Sequence, residues 1–369
     1  MKVLILGASG FLGKNLSCYL SNQLDFVIHR YSKESSEIET GTTYDVIINC
    51  VGVSRSDTDN DFIKGNVSFL NWFFDEHLSN KKVIFKRVIH LSSIKSGDNT
   101  IYGRTKSEGE ALIEKICTES ASMLKILRPT NLFGKWSRPD YNSVVATWCR
   151  DLRLSLKSEI NGGANLIELT YIDDICNEIF NLCLSSDQEF ISQNTTSSAK
   201  VFRISLQELY QTLTEISSAV GKVSLFSPNN VLEKNLFSTY ISFLDPRDTL
   251  FSLQGHGDKR GSFYEIFKLG INGQVSVSST YPDKERRGNH FHMSKVEVFC
   301  LLSGRAKMRH KMWGTNKILE NNLDAFQCIT TIPGYIHDIQ NIGDEPLLLL
   351  IWANEEFDKN NPDTFQSPL

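Results

Sequence analysis

The first third of the chain alternates short apolar runs with stretches of helical period. The runs are Lys2–Leu6, Phe26–Arg30, Val46–Cys50, Val88–Leu91 and Leu124–Leu127. Amphipathic segments lie between them: one up to about Leu20, then Phe62–Glu76 and Tyr102–Lys115. Apolar runs alternating with helical stretches predict a parallel sheet covered on both faces. From Tyr141 to about Asp245 the pattern is mixed, with helical runs at Asp173–Cys183 and Leu206–Ser217, which suits a smaller substrate-facing lobe. Beyond Leu244-Asp-Pro-Arg-Asp248 the period changes. Phe263–Phe267, Gly273–Ser278, Val296–Leu302, Ala306–Lys311 and Leu347–Trp352 are short, β-rich and punctuated by Gly, Asn and Asp. Many short strands without a long helix predict a barrel or sandwich. The division is therefore 1–245, an α/β unit, and 246–369, an all-β unit.

A length of 369 residues agrees with two domains. The hydrophobic share of 40% and charged share of 22% are those of an ordinary globular protein, and a net charge of −4 leaves no footprint for nucleic acid. No apolar stretch reaches the ~18 residues of a membrane span, and the opening apolar run leads straight into a glycine turn rather than a signal cleavage site. The eight cysteines are scattered with no CxxC pair, the pattern of reduced, buried thiols in a cytoplasmic protein.

Two constellations carry chemistry. Directly after the first apolar run stands Gly7-Ala-Ser-Gly10-Phe-Leu-Gly13. Glycine lets the backbone approach a pyrophosphate and the following helix presents free N–H groups to it, so Gly7, Ser9, Gly10, Phe11, Leu12 and Gly13 are expected to hold a dinucleotide. The second run ends in His29-Arg30 with no acidic residue at its tip, which favours the 2′-phosphate of NADP(H) over the bare ribose of NAD. Tyr102 and Lys106, four apart, share a helical face. The ammonium can assist the phenol and grip the nicotinamide ribose, while Tyr102 exchanges a proton with a carbonyl oxygen. Ser92 or Ser93 would hydrogen-bond that same oxygen.

The second constellation is His290-x-His292-x4-Glu297-x6-Gly304, with Pro333-Gly334-x2-His337-x3-Asn341. Residues two apart on a strand share a face, so His290 and His292 can aim into one cavity. With Glu297 and His337 they make a set for a borderline divalent metal, Zn²⁺ most simply.

Gly7–Gly13, Asn49-Cys-Val-Gly52, Leu91-Ser-Ser93, Tyr102–Lys106 and Arg128-Pro-Thr-Asn131-Leu-Phe-Gly134 together resemble the extended short-chain dehydrogenase/reductases, whose fold is a Rossmann-type parallel sheet. The nearest resemblance is to members that reduce nucleotide-linked 4-keto-6-deoxy sugars. It makes Arg128, Asn131 and Lys135 candidates for the nucleotide-sugar. The stretch between Tyr31 and Val46 is short for that family, so one strand–helix unit is abbreviated and no acidic residue is placed to meet the adenine. Asp258-Lys-Arg-Gly261-Ser-Phe263 and Arg287-Gly-Asn-His290 resemble the sugar-nucleotide 3,5-epimerases of the cupin superfamily, which implies a cupin barrel with His290 as base. The metal set belongs to cupins at large, so His290 stands as base or as ligand. Along its whole length the chain resembles the bifunctional capsule-synthesis enzymes of the CapF type, on the route to UDP-N-acetyl-L-fucosamine. That resemblance implies a UDP-2-acetamido-2,6-dideoxy-4-hexulose substrate, inverted at carbon 3 by the cupin. The reductase then uses NADPH at carbon 4, giving UDP-N-acetyl-6-deoxy-L-talosamine. A homodimer is expected, since cupin barrels commonly associate. A second reading keeps the reductase and makes the cupin a metal-braced dimerisation or sugar-binding module.

Overall fold

The computed structural model describes residues 1–369 apart from 34–35, 39–40, 80–82, 193–196, 221, 246–251, 283–285 and 314. The chain forms two compact units, Met1–Ser217 with Asn229–Leu244, and Ser218–Pro228 with Asp245–Leu369. The excursion Ser218–Pro228 into the second unit is not part of the sequence boundary at 245. Most of the expected linker, 246–248, lies outside the described residues.

In the first unit, β1 (Lys2–Leu6), β2 (Val27–Tyr31), β3 (Thr42–Asn49), β4 (Val83–Leu91) and β5 (Met123–Leu127) form one parallel sheet in the order β2-β1-β3-β4-β5. Alternation on β1 explains why the sheet is covered on both sides. Val3 and Ile5 join a core with α1 (Phe11–Ser21) and α6 (Ile172–Leu184). Leu4 and Leu6 face a second core under α3 (Phe69–Ser79) and α4 (Ile101–Glu119). All four side chains are fully buried, each contributing about 1.5–3 kcal/mol of transfer free energy. The chain passes from β2 to β3 on the opposite side of β1, so the order of winding reverses between β1 and β3, the switch point at whose carboxyl ends doubly wound sheets bind ligands. The abbreviated unit is this short β2–β3 passage. A helix runs into α3 as α2 (Asp59–Ile63) and a π-helical turn, Lys64–Ser68.

A small sheet of β6 (Asn131–Phe133), β7 (Leu166–Tyr171) and β8 (Val201–Ser205) stands apart from the main sheet. The unit also carries α5 (Val144–Arg153), α7 (Asp187–Ser192), α8 (Leu206–Ala219) and α9 (Val231–Ile241), of which α7 packs against β5 and α5 against α9.

The second unit is two antiparallel sheets. One has the order β16-β13-β18-β11-β10-β9 and the other β15-β14-β17-β12-β19. The strands are β9 (Gly255–Asp258), β10 (Gly261–Lys268), β11 (Gln274–Thr280), β12 (Arg286–Phe291), β13 (Glu297–Ser303), β14 (Arg305–Met312), β15 (Ile318–Asp324), β16 (Cys328–Thr330), β17 (Tyr335–Asn341), β18 (Leu347–Ala353) and β19 (Phe365–Gln366). Phe299, Leu301, Met308, Ile339, Leu347 and Leu349 form the core between the sheets. This is the two-sheet β architecture expected of a cupin-like unit. Among the described residues no helix is long and apolar enough to cross a membrane.

Candidate active site and metal centre

The glycine turn follows directly on β1. Gly7 adopts φ +76°, and its amide donates to Tyr31 O at 2.8 Å. A Cβ at Gly13 would lie 2.1 Å from Gly7 O, so the first turn of α1 can close on β1 only without one. Gly10 caps α1 with no side-chain cap, which leaves the helix start to backbone donors. Ser9 and Gly10 are exposed there, and Phe11 and Leu12 are half-buried.

Tyr102 and Lys106 lie on α4, whose start is capped by Thr100 Oγ1 accepting from Gly103 N at 3.0 Å. Burial pushes the Tyr102 phenol up, opposed by a hydrogen bond with the Ser93 side chain. Ser92 is buried, 7% exposed, whereas Ser93 meets Tyr102. Lys106 is buried too, and its Nζ donates to Leu91 O at 3.0 Å. Burial lowers its pKa to about 8, against the opposing pull of Glu110 one turn on.

Three neighbours support this lysine. A Cβ on Gly52 would lie 2.8 Å from Lys106 Nζ, so a side chain in the loop after β3 would displace the ammonium. Buried Asn66, in the π-helical turn, accepts from Val53 N at 2.9 Å. It also donates to Val53 O at 3.1 Å and to Thr105 Oγ1 at 3.0 Å. It thereby ties that loop to α4 beside Lys106. π-turns recur at functional sites for this kind of re-aiming. Glu110 accepts from two of the Arg128 guanidinium nitrogens, Nε at 2.9 Å and Nη2 at 2.5 Å.

Arg128 is thus anchored on α4, yet its side chain remains 40% exposed. It lines a cavity of about 420 Å³ with Ile94, Thr130, Glu168, Thr170 and Arg203. The other two expected substrate residues hold local structure. Asn131 donates to Glu168 O at 3.0 Å, and Lys135 Nζ to Asp173 Oδ1 at 2.5 Å.

The tip of β2 differs from its sequence reading. His29 Nδ1 lies 2.7 Å from the hydroxyl of Tyr44, a buried core residue. Arg30 donates from Nη2 to Ser21 Oγ at 2.8 Å. Glu37 folds back on it: Arg30 N donates to Glu37 Oε2 at 2.9 Å, and the guanidinium lies 3.5 Å from the same oxygen. An acidic group therefore does stand at this strand end. It is distant in sequence because the loop returns, which spacing alone does not show.

In the β-unit, His290, His292, Glu297 and His337 converge, with ligand atoms all within 4.8 Å of one another. Strand alternation alone does not achieve this. Cross-strand partners share a face, and β12 pairs Arg287 with Ile339, Gly288 with Asp338, then His290 with His337. Asn289 is the extra residue of a bulge, with φ +61° after Gly288 at +103°. That bulge shifts parity so that Arg287 and His290 both face inward.

The tautomers suit metal binding. His292 Nδ1 donates to Asp363 O at 2.6 Å, which leaves Nε2 for the cavity, 3.2 Å from Glu297 Oε2. His337 Nδ1 lies 3.3 Å from Tyr335 O, and its buried Nε2 has no hydrogen-bond partner among the described residues. Glu297 Oε2 lies 3.2 Å from His292 Nε2 and 3.7 Å from His337 Nε2. The His290 imidazole is lowered to about 4 by burial and by the two neighbouring histidines. Three imidazoles and a carboxylate form a donor set that fits a divalent ion. His310, absent from the sequence reading, faces His337 directly across β14–β17 and is 6% exposed.

A parallel sheet whose crevice carries a glycine turn and a tyrosine–lysine helix places this protein among the dinucleotide-dependent Rossmann enzymes. More narrowly, the chain belongs to the NAD dependent epimerase/dehydratase family, whose model matches residues 3–190, and residues 256–365 match the polysaccharide biosynthesis C-terminal domain. It is 31% identical to a UDP-2-acetamido-2,6-beta-L-arabino-hexul-4-ose reductase of Pseudomonas aeruginosa, over 99% of this chain and 98% of that protein. It resembles the crystal structure of the capsular polysaccharide assembling protein CapF from Staphylococcus aureus with TM-score 0.87 and 32% identity, covering all of both chains. A UDP-glucuronic acid 4-epimerase from Bacillus cereus, in complex with NAD, shares the fold alone: TM-score 0.54 and 17% identity over 66% of this chain and 96% of that one.

Proposed function

We propose that this protein converts a UDP-2-acetamido-2,6-dideoxy-4-hexulose in two steps, epimerising carbon 3 in the β-unit and reducing carbon 4 in the Rossmann unit, for capsule or O-antigen synthesis. The observation that carries the reading is the Ser93–Tyr102–Lys106 set beside the dinucleotide turn, in a chain similar over its full length to a 4-ketohexose reductase. The 4-ketone acidifies the hydrogen on carbon 3. A base removes that proton and a donor returns one to the opposite face, inverting the centre with no change in redox state. At carbon 4 the reduced nicotinamide supplies the hydride. Tyr102 gives its phenolic proton to the incipient alkoxide, Ser93 hydrogen-bonds the same oxygen, and Lys106 holds the phenol's charge balance. Loss of the ketone then prevents reversion at carbon 3.

NADPH is the proposed cofactor, supported by the exposed Arg30 guanidinium at the tip of β2. Glu37 beside it favours a ribose diol and hence NADH, so the two residues pull in opposite directions. Zn²⁺ bound by His290, His292, Glu297 and His337 is proposed to brace the β-unit, in a cytoplasmic homodimer. The test is incubation of the purified protein with NADPH and the UDP-4-keto sugar in deuterated water, read by NMR. The L-talo product with deuterium at carbon 3 is expected. A reduced product with the original hydrogen and configuration at carbon 3 would leave the β-unit as a binding module.

A further inference from the structure

Two thiols stand side by side on the outside of the β-unit. Cys300 on β13 and Cys328 on β16 are direct partners across an antiparallel pair. Thr331 N donates to Glu297 O at 2.8 Å and Leu301 N to Gln327 O at 3.0 Å. The ladder bonds on β13 therefore fall at the odd-numbered positions, and Cys300 sits between two of them. Opposed residues at such a position have Cα atoms about 4.5 Å apart, inside the range of about 4.4–6.8 Å that a disulfide spans. Alternation turns Phe299 and Leu301 into the core, at 8% and 0% exposure, and Cys300 outward. Cys300 is half-buried and Cys328 exposed, whereas Cys117, Cys149, Cys176 and Cys183 are buried. The expectation of buried thiols does not hold for this pair, because the alternation of β13 faces outward at this position and β16 is an edge strand. The two thiols hydrogen-bond each other, which pushes the Cys300 thiol up.

We propose that Cys300 and Cys328 form a dithiol–disulfide site that reacts with low-molecular-weight disulfides. The accessible Cys328 thiolate attacks one sulfur of the small disulfide, forming a mixed disulfide and expelling one small thiol. The Cys300 thiolate then attacks the Cys328 sulfur and expels the second. The protein loses two hydrogens and the small disulfide becomes two thiols, so no further oxidant is required. The new bond staples edge strand β16 to β13 and closes a loop containing β14 and β15. Its ends lie close to the metal cluster: Glu297 opens β13, and Thr331, just past β16, accepts on Oγ1 from Glu297 N at 2.9 Å.

The test is treatment of the full-length protein with oxidised glutathione, followed by non-reducing peptide mass mapping. A Cys300–Cys328 linked peptide is expected, lost on reduction with dithiothreitol and absent from Cys300→Ser. In that variant Cys328 should instead keep a mixed disulfide. Cys18, the other exposed thiol, reports whether the reagent has acted. A glutathione adduct at Cys18 with no Cys300–Cys328 link in the unmodified protein would overturn the proposal.

Discussion

At the scale of single residues, the reductase reading rests on how α4 and its neighbours treat two titratable groups. Burial raises the Tyr102 phenol and lowers Lys106 to about 8. The phenol therefore holds its proton across the neutral range, while the ammonium is present only below about pH 8. Reduction needs both, so kcat/KM for the ketone should fall above pH 8, about tenfold per unit, as Lys106 loses its proton. A pH–rate profile flat well beyond that point would remove the lysine from the mechanism. Tyr102→Phe should cost ~10²–10⁴ in NADPH oxidation and leave deuterium exchange at carbon 3 nearly intact. Equal loss of both activities would contradict the division of labour between the units. At the cofactor, Arg30→Ala should lower the NADPH-over-NADH ratio of kcat/KM. Glu37→Gln should raise it, since it removes a carboxylate from beside a 2′-phosphate. Steady-state kinetics with both cofactors decides this, and opposite signs would place the adenosine elsewhere.

At the scale of elements, the parts legible in the sequence were those whose chemistry is local. The glycine turn, the tyrosine–lysine helix and the His-x-His strand each occupy a few consecutive positions, and period alone assigns them. What spacing could not show is how the chain returns. Asn66 reaches α4 from a π-turn, Glu37 folds back on Arg30, and His310 meets His337 only through strand pairing. The Gly288-Asn289 bulge had a signal, glycine followed by asparagine inside a strand, but its effect on parity depends on the partner strand. The C-terminal segment is the clearest case. Asp363 accepts from the amides of Met293, Ser294 and Lys295 at 2.9, 2.9 and 2.7 Å, while its own carbonyl orients His292. Burial would raise this carboxyl, but those three amides hold it well below the usual carboxylate range. Its folded pKa is depressed, so the stability it contributes is present above the unfolded value of about 3.9 and is lost as pH falls through the folded value. Asp363→Ala releases the C-terminal segment from those amides and should weaken metal binding ~10–100-fold, the usual effect of losing an outer hydrogen-bond partner. Competition against a chromophoric chelator measures it, and unchanged affinity would show that the carboxylate anchor of Asp363 has no part in metal binding.

At the scale of the whole molecule, each unit has its own hydrophobic core, and each is proposed to hold a different ligand. Binding to the folded state alone stabilises it by RT ln(1 + [L]/Kd), about 4 kcal/mol at a thousandfold excess over Kd. The intact protein should therefore melt in two transitions that respond to different ligands. NADPH should raise the one belonging to the Rossmann unit. Chelation should lower the one belonging to the β-unit, because a set of three imidazoles and a carboxylate binds metal only when folded together. Restoring Zn²⁺ should return that transition, and His337→Ala should abolish the response, since it removes a ligand whose buried Nε2 has no other partner. Carbon-3 exchange distinguishes a bracing ion from a catalytic one. If the ion only braces, exchange falls in step with the β-unit transition. If it also polarises the substrate, exchange vanishes under mild chelation while that transition persists. Calorimetry in parallel with the exchange assay separates these outcomes, and bracing is the one expected. A β-unit transition indifferent to chelator, in protein shown by elemental analysis to carry no metal and to exchange carbon 3 fully, would refute the metal centre altogether.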